Sequence, residues 1–279
     1  MKLLNKIAVI AAASMVAISA HAANVLIVLS DSDHLDLKDG KKYATGFYLN
    51  ELLQPVKLLL DAGHQVTFAT PSGKAPSVDK NSMDPMFFGS ADALKQYQAM
   101  LEKLELTSST KSPVVSLSRI EQIGYAQFDA VYVPGGHAPM QDLLDSPQVG
   151  RLLKAFHEAG KTTALDCHGP IALLSTLPDA PGFRRQMDAG TKAPAPKNWI
   201  YAGYKMTVYS DEEEDQSKGY LNGSMKFYPQ PALTQAGGAY SRNQTAWTPY
   251  VVIDRELITG QNPASAIQVG QAIVERLRR

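Results

Sequence analysis

A single cysteine with a histidine beside it is the strongest candidate for chemistry in this sequence. Cys167 is the only cysteine, and it stands between an apolar stretch and the pair Gly169-Pro170. This pattern is typical of a sharp turn from a buried strand into a helix. A thiol at a helix N-terminus lies close to free backbone N–H groups and to the positive end of the helix dipole, which lower its pKa and can hold an oxyanion. The pattern favours a nucleophile at Cys167 over the inert, buried role that is commoner for a lone cysteine.

A second turn of the same kind follows another apolar stretch, residues 128–133. There Pro134 is followed by Gly135, Gly136 and His137. In open α/β sheets, ligands bind where the carboxyl ends of neighbouring strands meet. We therefore expect the backbone N–H groups of Gly135 and Gly136 to line a pocket with Cys167, with His137 as a lining residue only.

The elements that must position these turns alternate between strands and helices. Continuous apolar runs predict buried strands at 24–30, 64–70, 128–133 and 162–166. Helical spacing predicts helices at 52–63, 146–160 and 169–177, with Pro55 in the first turn of its helix and Gly63 at its end. A hairpin over 250–259 and a last helix after Asn262-Pro263 complete the pattern. The fold class is therefore α/β, with a mostly parallel sheet covered by helices on both faces.

Two stretches do not fit this alternation. Residues 72–110 have a helical pattern only in their later half, and residues 178–197 are rich in Pro, Gly and Ala. Both are interpreted as lid-like insertions at the edge of the sheet, where substrate loops are common.

Composition limits the range of functions. The chain has 279 residues, of which 44% are hydrophobic, and equal numbers of basic and acidic residues, 27 each. This length and composition are enough for one sizeable core, so we expect a single domain over 23–279. The balanced charge and the lack of a run of Lys and Arg argue against nucleic acid as a partner.

The first 22 residues have the pattern of an export signal. Lys2 and Lys6 precede an uncharged apolar run over 7–20, and Ala20-His21-Ala22 offers small residues for cleavage. The alternative is a membrane anchor, but the run is shorter than the roughly 20 residues that a spanning helix needs. We expect cleavage, no stable membrane anchor afterwards, and a periplasmic or secreted protein in which a lone cysteine forms no internal disulfide.

Five segments together resemble a known family. They are Thr45-Gly-Phe-Tyr-Leu-Asn-Glu-Leu-Leu-Gln-Pro55, Val133-Pro-Gly-Gly-His137, Met140-Gln-Asp-Leu143, Cys167-His-Gly-Pro170 and Leu257-Ile-Thr-Gly-Gln-Asn-Pro-Ala-Ser265. With them the chain resembles the ThiJ/PfpI family of class I glutamine amidotransferase-like proteins. Within that family it is most similar to the branch of heat-shock chaperones and glutathione-independent glyoxalases, the glyoxalase III group, and the likeness covers nearly all of 23–279.

The resemblance implies a flavodoxin-like sandwich and a role for each matching residue. Cys167 would be the nucleophile, Glu51 a proton-transfer group close to the thiol, and His168 the base of a catalytic triad. A carboxyl that is desolvated beside a thiol has a raised pKa, which suits proton transfer near neutral pH. Without the resemblance, Glu51 could equally be an ordinary carboxylate at a helix start.

The acid of the triad would come from the run of five acidic residues at 211–215. Spacing from Cys167 within the family favours Glu214, whereas Glu212 and Glu213 are one or two positions away and stay open as alternatives. A run of acidic residues can also be a solvated turn.

The chain also departs from the family pattern. Members commonly have a small apolar residue before the cysteine, and this chain has Asp166. Because successive side chains of a strand face opposite ways, Asp166 is expected to point away from Cys167 and pair there; if it reached the thiol, its charge would oppose ionisation. Ala138-Pro139 also replaces the more flexible residues usual after the glycine pair.

The resemblance implies an enzyme that acts on small reactive dicarbonyls such as methylglyoxal and needs no cofactor or metal. One alternative is a holding chaperone for unfolded proteins, in which the cysteine is dispensable. Another is an amidase, peptidase or amidotransferase-like hydrolase, because the same side chains permit amide hydrolysis. A homodimer is a further possibility in this superfamily. His34, His64 and His157 show no spacing typical of a metal site.

Overall fold

The computed structural model describes residues 22–192 and 195–278. The predicted export signal lies outside the described residues except for Ala22. The first strand begins at Asn24, two residues after Ala22. No helix in the described part of the chain is long and apolar enough to cross a bilayer.

A seven-stranded sheet forms the centre of the fold. The strands in chain order are β1 Asn24–Val28, β2 His34–Asp36, β3 Lys42–Ala44, β4 Gln65–Thr70, β5 Val115–Ser116, β6 Ala130–Val133, β7 Thr162–Asp166, β8 Lys205–Met206, β9 Ala239–Tyr240, β10 Val251–Asp254 and β11 Leu257–Gly260. The sheet has the order β10-β11-β7-β6-β1-β4-β5, while β2 pairs with β3 and β8 with β9. Within the described seven-stranded sheet, β10 is the strand that runs antiparallel, as the outer half of the predicted hairpin, and the separate β2–β3 pair is antiparallel as well. The predicted, mostly parallel sheet is confirmed.

Helices cover both faces of this sheet, as predicted. They are α1 Leu49–Asp61, α2 Ala91–Leu104, α3 Leu117–Ile123, α4 Pro139–Asp142, α5 Pro147–Glu158, α6 Ala180–Asp188, α7 Asp211–Ser217, α8 Pro229–Ala236 and α9 Ala266–Leu277. Alternate residues of each strand face opposite sides. Thus Ala130 and Tyr132 join the core under α1 and α9, whereas Val131 and Val133 join the core under α5. Each leucine buried under α1 contributes about 1.5–3 kcal/mol.

The sheet places the two predicted turns side by side. Strands β6 and β7 are parallel neighbours in which Val133 pairs with Leu165. The segment that begins at Pro134 and the residue Cys167 therefore leave the same edge of the sheet. The start of α1 joins them there, because the Tyr48 N–H donates to the Gly135 carbonyl oxygen at 3.2 Å.

The segment after Cys167 is helical but differs from the expected α-helix. Residues Gly169–Thr176 form a 3-10 helix. The hydroxyls of Ser175 and Thr176 donate to the carbonyl oxygens three residues earlier, at 2.6 and 2.7 Å, which matches the 3-10 spacing. The first residue must be small, because a Cβ at Gly169 would lie 2.4 Å from the Val133 carbonyl oxygen.

Both insertions contain a helix. The stretch 72–110 holds α2, in its later half as predicted, and Ser90 caps that helix by accepting from the Ala93 N–H at 3.1 Å. The stretch 178–197 holds α6, which begins after the cap residue Asp179. The composition of this stretch, rich in Pro, Gly and Ala, did not predict the helix.

The prediction that Pro55 lies in the first turn of its helix is wrong. Helix α1 begins at Leu49, so Pro55 lies in the second turn. Proline lacks the N–H that would bond to the carbonyl four residues earlier, and that carbonyl belongs to Glu51. The fully buried Tyr132 hydroxyl donates to this oxygen instead, at 2.5 Å. A side chain from β6 thus replaces the missing helix hydrogen bond at the backbone of Glu51.

We predict that Tyr132→Phe lowers the free energy of unfolding by about 1–3 kcal/mol, because it leaves a buried carbonyl without a donor. In a Pro55→Ala background the backbone N–H gained at this position can bond to the Glu51 carbonyl, so the same change should cost about 1 kcal/mol less. Denaturant unfolding of the four proteins of this cycle measures both costs. Equal costs in the two backgrounds would contradict the explanation.

Candidate active site

Cys167 occupies a strained turn at the carboxyl end of β7. Its φ of 57° lies in the left-handed region, which is uncommon for residues other than glycine. Three hydrogen bonds hold the turn. The Cys167 N–H is within 3.0 Å of both the Gly260 carbonyl oxygen and Asp166 Oδ1, and the Cys167 carbonyl oxygen accepts from the Tyr209 N–H at 2.9 Å. The strand-to-helix turn predicted for the thiol is therefore present, held by the neighbouring strand and by the segment before α7.

A Cys-His-Glu series runs inward from this turn. The Cys167 Sγ lies 3.3 Å from His168 Nδ1, and His168 Nε2 lies 2.9 Å from Glu214 Oε1. All three side chains are buried. The Tyr209 ring stacks on the imidazole with the ring centres 4.6 Å apart. The base is thus held between the thiol and a carboxylate, the arrangement that a triad needs.

The structure distinguishes Glu214 from the two acids before it. Glu213 belongs to a capping box with Ser210 at the start of α7, and its carboxylate also accepts from Gln261 and Asn262. Glu212 points outward and pairs with Arg242 at 2.7 Å. Of the acids in 211–215, Glu214 is therefore the one whose carboxylate contacts His168.

Glu51 contributes the second acid of the site. Its fully buried carboxyl lies against the Cys167 thiol and the Gly135 N–H, without a hydrogen bond of normal geometry to either. Burial, with a further effect from the charge of Asp166, raises the pKa of Glu51 well above its ordinary value. The protonated carboxyl is accordingly favoured, as expected for a group that exchanges a proton with its neighbour.

The two glycines of the 134–137 turn leave room for this contact. A Cβ at Gly135 would lie 2.4 Å from Glu51 Oε2 and 2.5 Å from Cys167 Cβ. Gly136 has a φ of 90°, and a Cβ there would lie 2.1 Å from the Gly46 carbonyl oxygen. The Gly136 N–H donates towards the thiol. Both glycines therefore lie beside Cys167, as predicted. The Gly136 N–H is available to an oxyanion that forms near the sulfur.

The expectation that the turn lowers the thiol pKa is wrong for this arrangement. Burial raises the pKa of Cys167 well above its ordinary value, and the charges of Glu51 and Asp166 raise it further, against the lowering effect of the Gly136 N–H. A short 3-10 helix and one N–H group do not offset the loss of water around the sulfur. The uncharged thiol is the favoured resting form.

In the described part of the chain, Asp166 does not have the pairing partner that was expected for it away from Cys167. Its Oδ1 accepts the Cys167 N–H, whereas Oδ2 has no hydrogen-bond partner among the described residues. Burial raises the pKa of Asp166 well above its ordinary value. Asp166 opposes ionisation of the thiol only in its charged form, and burial disfavours that form.

His137 lies next to two residues of the Cys-His-Glu series. Its Nε2 lies 3.7 Å from Glu214 Oε2, and its ring centre lies 4.1 Å from that of His168. Burial lowers the pKa of His168, and the positive charge that His137 can carry lowers it further. Burial raises the pKa of Glu214, but the two imidazoles outweigh it and hold that pKa at about 2. The resting site therefore combines a neutral His168 with an ionised Glu214.

A cleft of about 290 Å³ opens beside His137. Its lining is mostly aromatic or apolar, and consists of Tyr43, Tyr48, Met86, Phe87, His137, Tyr209, Gln216, Ser217, Tyr220 and Trp247. The sequence reasoning missed the aromatic residues, although Tyr48 stands only three positions before Glu51 and Tyr209 only five before Glu214. Neither this cleft nor a larger cavity of about 740 Å³ by the 72–110 insertion is lined by Cys167, His168 or either glutamate. The cleft reaches the site through His137 and Tyr209, whose rings contact that of His168.

Comparison with known proteins gives a consistent family. The description ThiJ/PfpI family-like matches residues 43–200. A probable glutathione-independent glyoxalase, hsp3103, of Schizosaccharomyces pombe is 27% identical over 272 residues, which cover 91% of this chain and 98% of the yeast protein. The protein/nucleic acid deglycase HchA of Staphylococcus aureus is 26% identical over 256 residues, which cover 91% of this chain and 79% of the relative.

Solved structures support the same fold. One crystal structure, of a protein 27% identical to this chain, aligns with a TM-score of 0.67 and covers 92% of this chain and 98% of its own. Glyoxalase III from Candida albicans aligns with a TM-score of 0.65 at 20% identity, covering 91% of this chain and 96% of its own. The flavodoxin-like sandwich inferred from sequence is therefore confirmed.

We predict that Glu51→Gln shifts the ionisation of Cys167 to lower pH, because an ionised Glu51 opposes loss of the thiol proton at alkaline pH, whereas a glutamine carries no charge at any pH. The rate of alkylation by iodoacetamide against pH, in buffer with a metal chelator, measures this shift. In the wild type the rate should rise only above the ordinary thiol pKa of about 8.5. Glu212→Gln, which removes an exposed acid, should leave the profile unchanged, and a shift to higher pH in Glu51→Gln would contradict the assignment.

Proposed function

The chain belongs to the ThiJ/PfpI family, and on that basis we propose that it is a cysteine-dependent enzyme that converts small 2-oxoaldehydes, such as methylglyoxal, into 2-hydroxy acids without glutathione. The observation that carries the proposal is that two proton-transfer groups lie beside the sulfur. His168 Nδ1 lies 3.3 Å from Sγ, and the Glu51 carboxyl lies against the same thiol. The relatives named glutathione-independent glyoxalase and deglycase support this chemistry.

The first step is addition of the thiol to the aldehyde. As the carbon–sulfur bond forms, the thiol proton passes to His168 Nδ1, and the resulting imidazolium is stabilised by the ionised Glu214 beside Nε2. The protonated Glu51 donates its proton to the aldehyde oxygen, next to the Gly136 N–H. The product is a hemithioacetal on Cys167, with Glu51 now ionised.

The second step moves a proton from the former aldehyde carbon to the former ketone carbon. The Glu51 carboxylate removes the proton from the hemithioacetal carbon while the imidazolium protonates the ketone oxygen, which gives an enediol. Glu51 then returns the proton to the second carbon, and His168 takes the proton of the first hydroxyl, which leaves a thioester. Water then adds to the thioester and gives a proton to the Glu51 carboxylate, while the imidazolium returns its proton to the departing sulfur. This releases the 2-hydroxy acid and restores the thiol, the neutral His168 and the protonated Glu51. The raised pKa of Glu51 lets one carboxyl act as acid and then as base.

Burial of the sulfur favours small substrates. Cys167 is only 2% exposed, so a free dicarbonyl reaches Sγ more easily than an adduct on a folded protein chain. For this reason we place glyoxalase activity before deglycase activity, which is the name given to the staphylococcal relative. Amide hydrolysis and holding-chaperone activity stay predictions from the sequence.

We expect the purified protein to consume methylglyoxal and release lactate in the absence of glutathione. Cys167→Ser should abolish this activity, and Glu214→Gln should reduce kcat by about 10²–10⁴-fold, because the imidazolium loses its counter-charge. Glu212→Gln, in the same acidic run but paired with exposed Arg242, is the matched control and should keep wild-type kcat. Full turnover by Cys167→Ser would remove the mechanism.

We further propose that the protein is exported and processed after Ala22. Removal of residues 1–22 would leave the sheet intact, since β1 begins at Asn24. The intact mass of protein recovered from the periplasm or medium should match a chain that begins at Ala23. Recovery of the unprocessed chain in the cytoplasm would contradict the proposal, and a full-length chain held in the membrane fraction would favour the anchor alternative.

A further inference from the structure

Three buried polar atoms beside the triad lack a partner. Both ring nitrogens of His137 and Oε2 of Glu214 form no hydrogen bond among the described residues, although all three are shielded from solvent. Buried polar groups are nearly always paired, because an unpaired one costs roughly 1–3 kcal/mol. His137 Nε2 and Glu214 Oε2 face each other at 3.7 Å, which is too long for a hydrogen bond. The space between these two atoms could therefore hold a further atom or ion that contacts both.

We propose that this gap is a binding site for a borderline transition-metal cation, with Zn²⁺ as the reference ion, held by His137, His168 and Glu214. One candidate ligand atom from each side chain can be chosen so that all three lie within 4.8 Å of one another. Two imidazoles with one carboxylate form a ligand set that zinc accepts, whereas Mg²⁺ and Ca²⁺ prefer oxygen ligands alone. His137 also lines the aromatic cleft, so the fourth coordination position of the cation can be filled by a water molecule from the cleft.

Other histidine–carboxylate pairs of the described chain differ from this site. His157 Nδ1 lies 2.8 Å from Glu256 Oε1, and the Tyr204 hydroxyl lies within hydrogen-bond distance of both oxygens of that carboxylate. His34 lies between Asp33 and Asp36, but it is partly exposed. Neither pair contains a second imidazole, and no atom of these three carboxylates or two imidazoles is both buried and unpaired.

Cation binding and the proposed catalysis exclude each other at His168. As a base, His168 must offer the lone pair of Nδ1 to the thiol and carry its proton on Nε2, facing Glu214. A cation on Nε2 needs the lone pair of that atom, which places the proton on Nδ1. The ring then cannot accept the proton of Cys167. The cation would accordingly act as a reversible inhibitor, an effect that rests on the proposed function, whereas binding itself does not.

Binding is tested first, without reference to activity. The full chain, treated with a chelator and then desalted, is titrated with Zn²⁺ in competition with a chromophoric chelator, and one Zn²⁺ per chain is expected. His137→Gln and Glu214→Gln should each weaken affinity at least about tenfold. His157→Gln, at the partly buried pair that His157 forms with Glu256, is the matched control and should bind as the wild type does. Circular dichroism and thermal unfolding check that each variant is folded.

Substitution with Co²⁺ gives a measurement on the wild type alone. A site made of nitrogen and oxygen ligands should give the visible absorption of Co²⁺ without a sulfur-to-cobalt charge-transfer band, and Cys167→Ser should leave the spectrum unchanged. A thiolate band that disappears in Cys167→Ser would overturn the proposal. Absence of Zn²⁺ binding, or equal affinity in wild type and His137→Gln, would do the same.

Activity forms the last arm of the experiment. Where methylglyoxal turnover is observed, Zn²⁺ should inhibit it at the concentration that fills the site, and excess chelator should restore it. Unchanged turnover with the site filled would contradict the claim that a cation on His168 prevents catalysis. If the protein has no such turnover, the proposed function fails while the titration and the Co²⁺ spectrum still decide whether the cation binds.

Discussion

The shared burial of a thiol and two carboxyls is the constraint on which this site depends. An ionised carboxylate without a partner costs several kcal/mol in a protein interior, and neither Glu51 nor Asp166 has a cationic partner in the described chain. Both acids therefore favour their neutral forms around Cys167. Glu214 is equally buried but keeps its charge, because two imidazoles face it. Glu51 and Asp166 are thus neutral beside the sulfur, whereas Glu214 is an anion on the far side of His168.

Most of the fold could be predicted because its signals are local. The continuous apolar runs that became β1, β6 and β7 indicate strands buried on both faces, and the Cys-His-Gly-Pro segment has the residues of a sharp turn. Pro55 shows where local reasoning ends. Proline is commonest in a first turn, but the hydroxyl that makes a later position tolerable comes from Tyr132, 81 residues away from Glu51. No pattern around Pro55 contains that information.

The site shows the same limit in its electrostatics. Glu214 was favoured by spacing within the family, and a further signal was present, since Ser210 and Glu213 form a capping box that occupies one of the competing acids. The raised thiol pKa was not predictable from the turn alone, because it depends on how completely water is excluded. The position of His137 against His168 and Glu214 depends on the pairing of β6 with β7 and on the docking of α7.

Tyr209 gives the segment before α7 a second role. Its N–H bonds to the Cys167 carbonyl oxygen, its ring covers His168, and the helix that carries Glu214 starts two residues later. Each residue added to a helix turns the following side chains by about 100°. The number of residues between Tyr209 and Glu214 therefore cannot vary in evolution without carrying the acid off the imidazole. The connection that follows Ser217 does not set this register, so lengths among related chains should vary more after α7 than between Tyr209 and Glu214.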